Sequence, residues 1–236
     1  LRYGNPFLRP EYTDGLEFGH QLTTKAVTLT TSLFYKTTRD VIRRYIEVAE
    51  TGVAYRTFVN LARQSNSGLE VVAMWRKGRT LQVRLNGSVY YQSTDGSNLA
   101  PDLGNNGFQG NAGYQVSALV KGDWKVQLDG RYRAPAEYPQ GTFAGYVSHS
   151  AAVNRDFYDG KLRASVRVSD LFDQRQWSYT SEGSDFFQDG TFKRQSRFVY
   201  ASLTWSWGKL EPGQKRGRGG YDRSSGGSFE GCLLYT

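Results

Sequence analysis

Five cations, Arg84, Lys125, Arg131, Arg163 and Arg167, fall on one parity of segments that alternate polar and apolar residues. Successive side chains of a strand point to opposite faces, so each of these cations belongs to the polar face of its strand. Guanidinium and ammonium groups gathered on a face attract anionic ligands or hydrogen-bond an acidic surface. The remaining residues add no catalytic apparatus to that charge. The two histidines, His20 and His149, lie in different segments, and His149 shares its parity with apolar neighbours. Cys232 is the single cysteine, which excludes a disulfide framework or a cysteine zinc site within this chain. There is no Gly-x-Ser-x-Gly elbow and no phosphate-binding Gly-x-x-x-x-Gly-Lys. The acidic residues, plentiful in loops, form no pair with catalytic spacing. The sequence therefore points away from an enzyme, and neither a cofactor nor a metal is expected.

The elements that carry these residues alternate with a period of two. Leu162, Ala164, Val166 and Val168 occupy one face of the segment from Lys161 to Leu171; Lys161, Arg163, Ser165, Arg167 and Ser169 occupy the other. Leu81, Val83, Leu85 and Val89 oppose Gln82, Arg84, Asn86 and Ser88; Trp124, Val126 and Leu128 oppose Lys125, Gln127, Asp129 and Arg131. Similar runs start near Leu16, Val27, Val59, Tyr114, Val147 and Val199, with Leu61 on the apolar parity of Leu69, Val71, Ala73 and Trp75. About nine strands result. Tight turns at Gly78, Gly122-Asp123 and Asp159-Gly160 alternate with longer polar connections around 39–55, 94–107, 134–143 and 181–191. Purely aliphatic faces, charged opposite faces, and short turns alternating with long loops together describe an antiparallel transmembrane β-barrel. A charge facing mid-membrane lipid costs about 2–4 kcal/mol, so the five cations should point into the lumen. Arg155 has the lipid parity of Val153 and Phe157, but it lies close enough to the Asp159-Gly160 turn to snorkel.

Composition agrees. The 236 residues carry a net charge of +8, with 27 glycines and 6 prolines. No run of about 18 apolar residues is present, so no transmembrane helix is expected. Trp75, Trp124, Phe157, Tyr158, Trp205 and Trp207 lie by the short turns or the last strand end, as an aromatic girdle would. Tyr90, Tyr91, Tyr132 and Tyr179 would form the opposite girdle. From Lys209 to Gly231 the chain becomes Gly-, Ser- and charge-rich and reads as a disordered tail. Its Lys215-Arg216-Gly217-Arg218 run looks like an RNA-binding segment. Elsewhere, however, charge is not interleaved with exposed aromatics, so no nucleic-acid partner is expected.

Several stretches resemble the TonB-dependent outer-membrane receptors. Asn5-Pro6-Phe7-Leu8-Arg9-Pro10-Glu11 resembles their Asn-Pro-x-Leu-x-Pro-Glu motif, followed by Leu16-Glu17-Phe18-Gly19. Val168-Ser169-Asp170-Leu171-Phe172-Asp173 resembles the lead-in to their last hairpin, and Leu203-Thr204-Trp205-Ser206-Trp207-Gly208 their closing strand. Those receptors have barrels of about 22 strands with a plugged lumen. The resemblance implies the C-terminal part of such a barrel, of the branch typical of Bacteroidetes-like bacteria, spanning 1–208. It would form a curved open sheet as it stands, multi-pass in the outer membrane and in contact with its lipid and lipopolysaccharide. The plug, an N-terminal domain, would meet Arg84, Lys125, Arg131, Arg163 and Arg167. A periplasmic energy-coupling protein would complete the importer. The alternative is a soluble or surface β-domain with a structural or adhesive role. Cys232-Leu233-Leu234-Tyr235-Thr236 resembles one reading frame of a transposase adapter from shotgun DNA libraries; otherwise 232–236 is a genuine apolar terminus.

Overall fold

The computed structural model describes residues 1–49, 51–121, 123–183 and 186–207. The tail expected over 209–231 and the segment 232–236 lie outside the described residues, as does Gly122. Nine strands form one antiparallel sheet: β1 (Tyr12–Thr23), β2 (Val27–Val48), β3 (Ala54–Lys77), β4 (Leu81–Asp95), β5 (Gly104–Val120), β6 (Trp124–Arg133), β9 (Tyr146–Phe157), β10 (Leu162–Ser169) and β13 (Phe198–Trp205). Each pairs with its sequence neighbour within that sheet, in this order. The sheet is open: among the described residues β1 pairs only with β2, and β13 only with β10. The fold class and the nine strands of this sheet are as the alternation predicts.

Register keeps the two faces separate across the sheet. Val126 opposes Val153, Val153 opposes Val166, and Val166 opposes Ala201. Leu33 lies between Phe18 and Leu69, and Leu69 opposes Val89. Most of this face is exposed, up to 75% for the aliphatic Leu16 and Leu203. A sheet that leaves so much contiguous apolar surface uncovered marks a membrane or protein contact. The short turns close as expected: Gly78, Asp123, Asp159 and Gly160 all have positive φ, which tight hairpins require.

The long connections depart from expectation. Residues 39–55 are not a loop, since β2 and β3 continue as a hairpin arm to Val48 and Ala54. Within that arm the faces exchange. Asp40 adopts φ +55°, the Asp40/Ala62 pair is missing from the ladder, and Val41 and Leu61 are buried at 1% and 2% exposure. Leu61 therefore does not continue the aliphatic outer stripe, because the backbone twist at Asp40 turns its face inward. The family-like motif straps this break. Arg9 pairs with Asp40 at 2.7 Å and exchanges two hydrogen bonds of 2.9 Å with the Asn60 amide; Glu11 accepts the Ile42 amide, and Asn5 donates to the Phe58 carbonyl. Asn5 and Leu8 are half-buried, whereas Pro6 and Pro10 stay exposed.

The connections over 134–143 and 181–191 hold four further strands: β7 (Ala136–Tyr138), β8 (Gly141–Phe143), β11 (Trp177–Gly183) and β12 (Phe186–Phe192). They form a second sheet, ordered β12-β11-β8-β7. It packs on the polar face near the far end from the short turns. Gln109 and Asn105 of β5 donate to the Glu137 carbonyl, and Gln140 holds both the amide and the carbonyl of Ile46. Strand β10 ends at Ser169, short of Leu171, because the chain turns through positive φ at Asp170 and Asp173.

The separation of faces predicts unequal costs for a charge. Val166→Arg should destabilise the protein folded into lipid vesicles by roughly 2–4 kcal/mol. Ser165→Arg, on the polar face, should cost much less. Denaturant titration of both variants checks this, and equal costs would contradict it.

A candidate lumenal binding face

The polar face assembles most of the predicted cations around carboxylates. Asp156 of β9 accepts from Arg163 of β10 at 2.6 Å and from Lys125 of β6 at 3.1 Å. Asp129 of β6 reaches Arg167 of β10 at 3.0 Å across the intervening β9. Asp129 and Asp156 could have been found as counter-ions from parity alone, since each shares a face with the cations. Arg84 and Arg131 stand on the same face and make no ion pair among the described residues. The five predicted residues therefore share a face but do not form one cluster.

Farther along the strands, away from the short turns, the face turns from charged to amidic. Gln64, Gln92, Thr94 and Gln109 are buried beneath the arm and the second sheet. Arg43 donates to Gln64 at 2.6 Å, Gln92 lies between Gln64 and Thr94, and Tyr90 donates to Gln109 at 3.1 Å. Tyr90 is thus not part of an outer girdle. Its parity is opposite to that of Tyr91, and two consecutive strand residues cannot share a face. Tyr91 does face outward, where it meets Phe108 edge-on at 5.3 Å. Tyr179 belongs to the second sheet, again not to a girdle. At the opposite rim, Arg155 lies 5.0 Å from the Trp124 ring centre and 4.8 Å from that of Phe157, so the outward cation is covered by rings.

The Asp170-Leu171-Phe172 stretch is a hub. The Asp170 carboxylate is 4% exposed and accepts from the amides of Gln174 and Arg175, both at 3.1 Å, and from the Ser196 hydroxyl at 2.5 Å. It ties the start of the β10–β11 connection to the lead-in of β13. Burial raises the Asp170 pKa, but the Ser196, Arg175 and Gln174 hydrogen bonds and the Arg175 charge outweigh it, leaving the carboxyl below its ordinary value. Leu171 donates its amide to the His149 carbonyl, and Phe172 stands edge-on to the His149 ring at 5.5 Å. On the same outer face His149 Nδ1 meets the Tyr114 hydroxyl at 2.9 Å across Gly130. A Cβ at Gly130 would stand 2.3 Å from the Tyr114 ring, so only glycine leaves room for this pair.

A sequence model of the outer membrane protein beta-barrel family matches residues 1–205. The chain belongs to that family. The fold resembles two solved structures, the copper transporter OprC and the FrpB iron transporter from Neisseria meningitidis. For OprC the TM-score is 0.61 with 17% identity, and for FrpB 0.55 with 14%. Each alignment covers 86% of this chain and 32% of the other, so the chain spans about a third of the length of these structures. No curated protein matches the sequence. The expected resemblance and the outer-membrane location follow from the family, and a soluble domain does not fit it.

The Asp170 hub makes a pH-dependent prediction. Asp170→Ala should destabilise the folded protein by roughly 1–3 kcal/mol, because three donors lose their acceptor. A carboxyl with a lowered native pKa stabilises above its unfolded value and loses that contribution as pH falls through the native value. The gap between wild type and variant should therefore narrow below about pH 4, near the ordinary carboxyl value of 3.8. Unfolding titrations at neutral and acid pH measure it; a gap independent of pH would contradict this assignment.

Proposed function

We propose that this chain is the wall of a TonB-dependent importer: its nine strands each cross the outer membrane, and its inner face lines the path of a captured ligand. The separation of faces carries this reading. An aliphatic surface one strand after another requires lipid, while the polar face spends its charge inside, where Asp156 and Asp129 neutralise Lys125, Arg163 and Arg167. The family membership and the fold likeness to two metal transporters support it. Arg84 and Arg131, without ion pairs among the described residues, suit contact with an acidic plug surface. In this reading the second sheet and the β2–β3 arm overhang the outer mouth, ligand enters there, and a periplasmic energy-coupling protein moves the plug. The aliphatic face contacts lipid and, on its outer side, lipopolysaccharide. Transport of this kind makes and breaks no covalent bond in the ligand, and no catalytic role is assigned to any residue.

The orientation is testable. Leu99→Cys, in the β4–β5 connection, should react with a membrane-impermeant maleimide on intact cells. Arg79→Cys, in the β3–β4 turn, should react only after the outer membrane is permeabilised. Labelling of position 79 but not 99 on intact cells would reverse the barrel and overturn the import reading.

A further inference from the structure

A cavity of about 450 Å³ opens on the polar face where β9, β10 and β13 meet the second sheet. Ser150 and Ser169 of the strands line it, immediately beyond the Asp129–Arg167 pair. Trp177 and Phe192, paired across β11 and β12, contribute ring surface. Arg175 and Arg194 bring two guanidinium groups. Neither makes an ion pair among the described residues. The one buried carboxylate there, Asp170, spends its hydrogen-bonding capacity on two backbone amides and the Ser196 hydroxyl. It positions the backbone at Arg175 and, through Ser196, the segment beside Arg194. The cavity is therefore built by a satisfied acid and left with an excess of positive charge.

We propose that this cavity binds a small organic anion. Arg175 and Arg194 hold a carboxylate or phosphate oxyanion, and Trp177 and Phe192 cover an aromatic or apolar body. Guanidinium forks match planar carboxylate and phosphate oxygens in paired hydrogen bonds, which a lysine cannot reproduce. Two guanidinium groups set against the single Asp170 carboxylate leave the cavity one positive charge in excess, which a shared anionic partner would offset. The volume falls in the range of small-molecule sites, about 300–1,000 Å³. The assignment rests on the import reading, because it places cargo on the lumenal side near the outer mouth.

Calorimetric titration of the full-length protein in detergent tests it, with phenyl phosphate as the probe and phenol and inorganic phosphate as its two halves. Saturable binding of phenyl phosphate is expected, with phenol and inorganic phosphate at least about tenfold weaker. The double variant Arg175→Gln/Arg194→Gln should lose at least about tenfold in affinity, and each single variant a smaller part. Lys121→Gln, at the opposite end of the sheet, should leave binding unchanged. Absence of saturable binding to the wild type, as when a plug carboxylate already holds both arginines, overturns the proposal. So does phenol binding as tightly as phenyl phosphate, or equal losses from Lys121→Gln and the arginine variants. Heat-modifiable migration in gels reports folding; if the double variant fails it, the single variants and the ligand comparison on wild type decide. A failed titration with the expected cysteine labelling removes the site and leaves the import reading standing, whereas reversed labelling removes that reading whatever the titration gives.

Discussion

A backbone amide in hydrocarbon has no water to bond, so every strand must satisfy its donors and acceptors on the strands beside it. The nine-stranded ladder answers that demand with sequential antiparallel neighbours, Tyr12–Thr23 against Val27–Val48 and onward to Leu162–Ser169 against Phe198–Trp205. Once the backbone is committed sideways, side chains have only two directions. Aliphatic side chains take one and charged and amide side chains the other. The aliphatic stripes, the ion pairs at Asp156 and Asp129 on the opposite face, and the ring-covered Arg155 all follow from that division.

Towards the strand ends away from the short turns the structure becomes irregular in specific places. Asp40 exchanges the faces of the β2–β3 arm, and the Asn5–Glu11 strap covers the gap with side-chain bonds to Asn60, Ile42 and Phe58. Asp170 does comparable work at the other side of the sheet, where it anchors the connection that carries Arg175. Two of the motif-like stretches, Asn5–Glu11 and Val168–Asp173, therefore serve as fasteners near the strand ends.

Sheet and strand number were legible because lipid enforces strict alternation: the Leu162–Val168 stripe has no polar member, and its register against Val153 and Ala201 follows. That Arg163 and Arg167 share a face opposite the aliphatic stripe was legible for the same reason. The second sheet was not. Its strands at Ala136–Tyr138 and Gly141–Phe143 are too short for a periodic signal, and partners from two separate connections hold them. The face exchange at Asp40 was hidden because one residue with positive φ leaves no pattern in its neighbours. Arg175 and Arg194 lie in segments without alternation, and only the fold brings them to one cavity. Tyr90 and Tyr91 show the limit of reading composition without parity.

The second sheet draws β7 and β8 from the connection between β6 and β9, and β11 and β12 from the connection between β10 and β13. Neither excursion can complete its hydrogen bonds until the other has arrived. Loop-closure entropy rises only slowly with loop length, so the long detours cost little more than tight turns as closures. Their cost lies in timing. The first strands, and β9 with β10, can zip pairwise across tight turns, whereas the small sheet closes only when both excursions are in place. The small sheet is thus a joint product of two connections that lie far apart in the chain, and neither makes it alone.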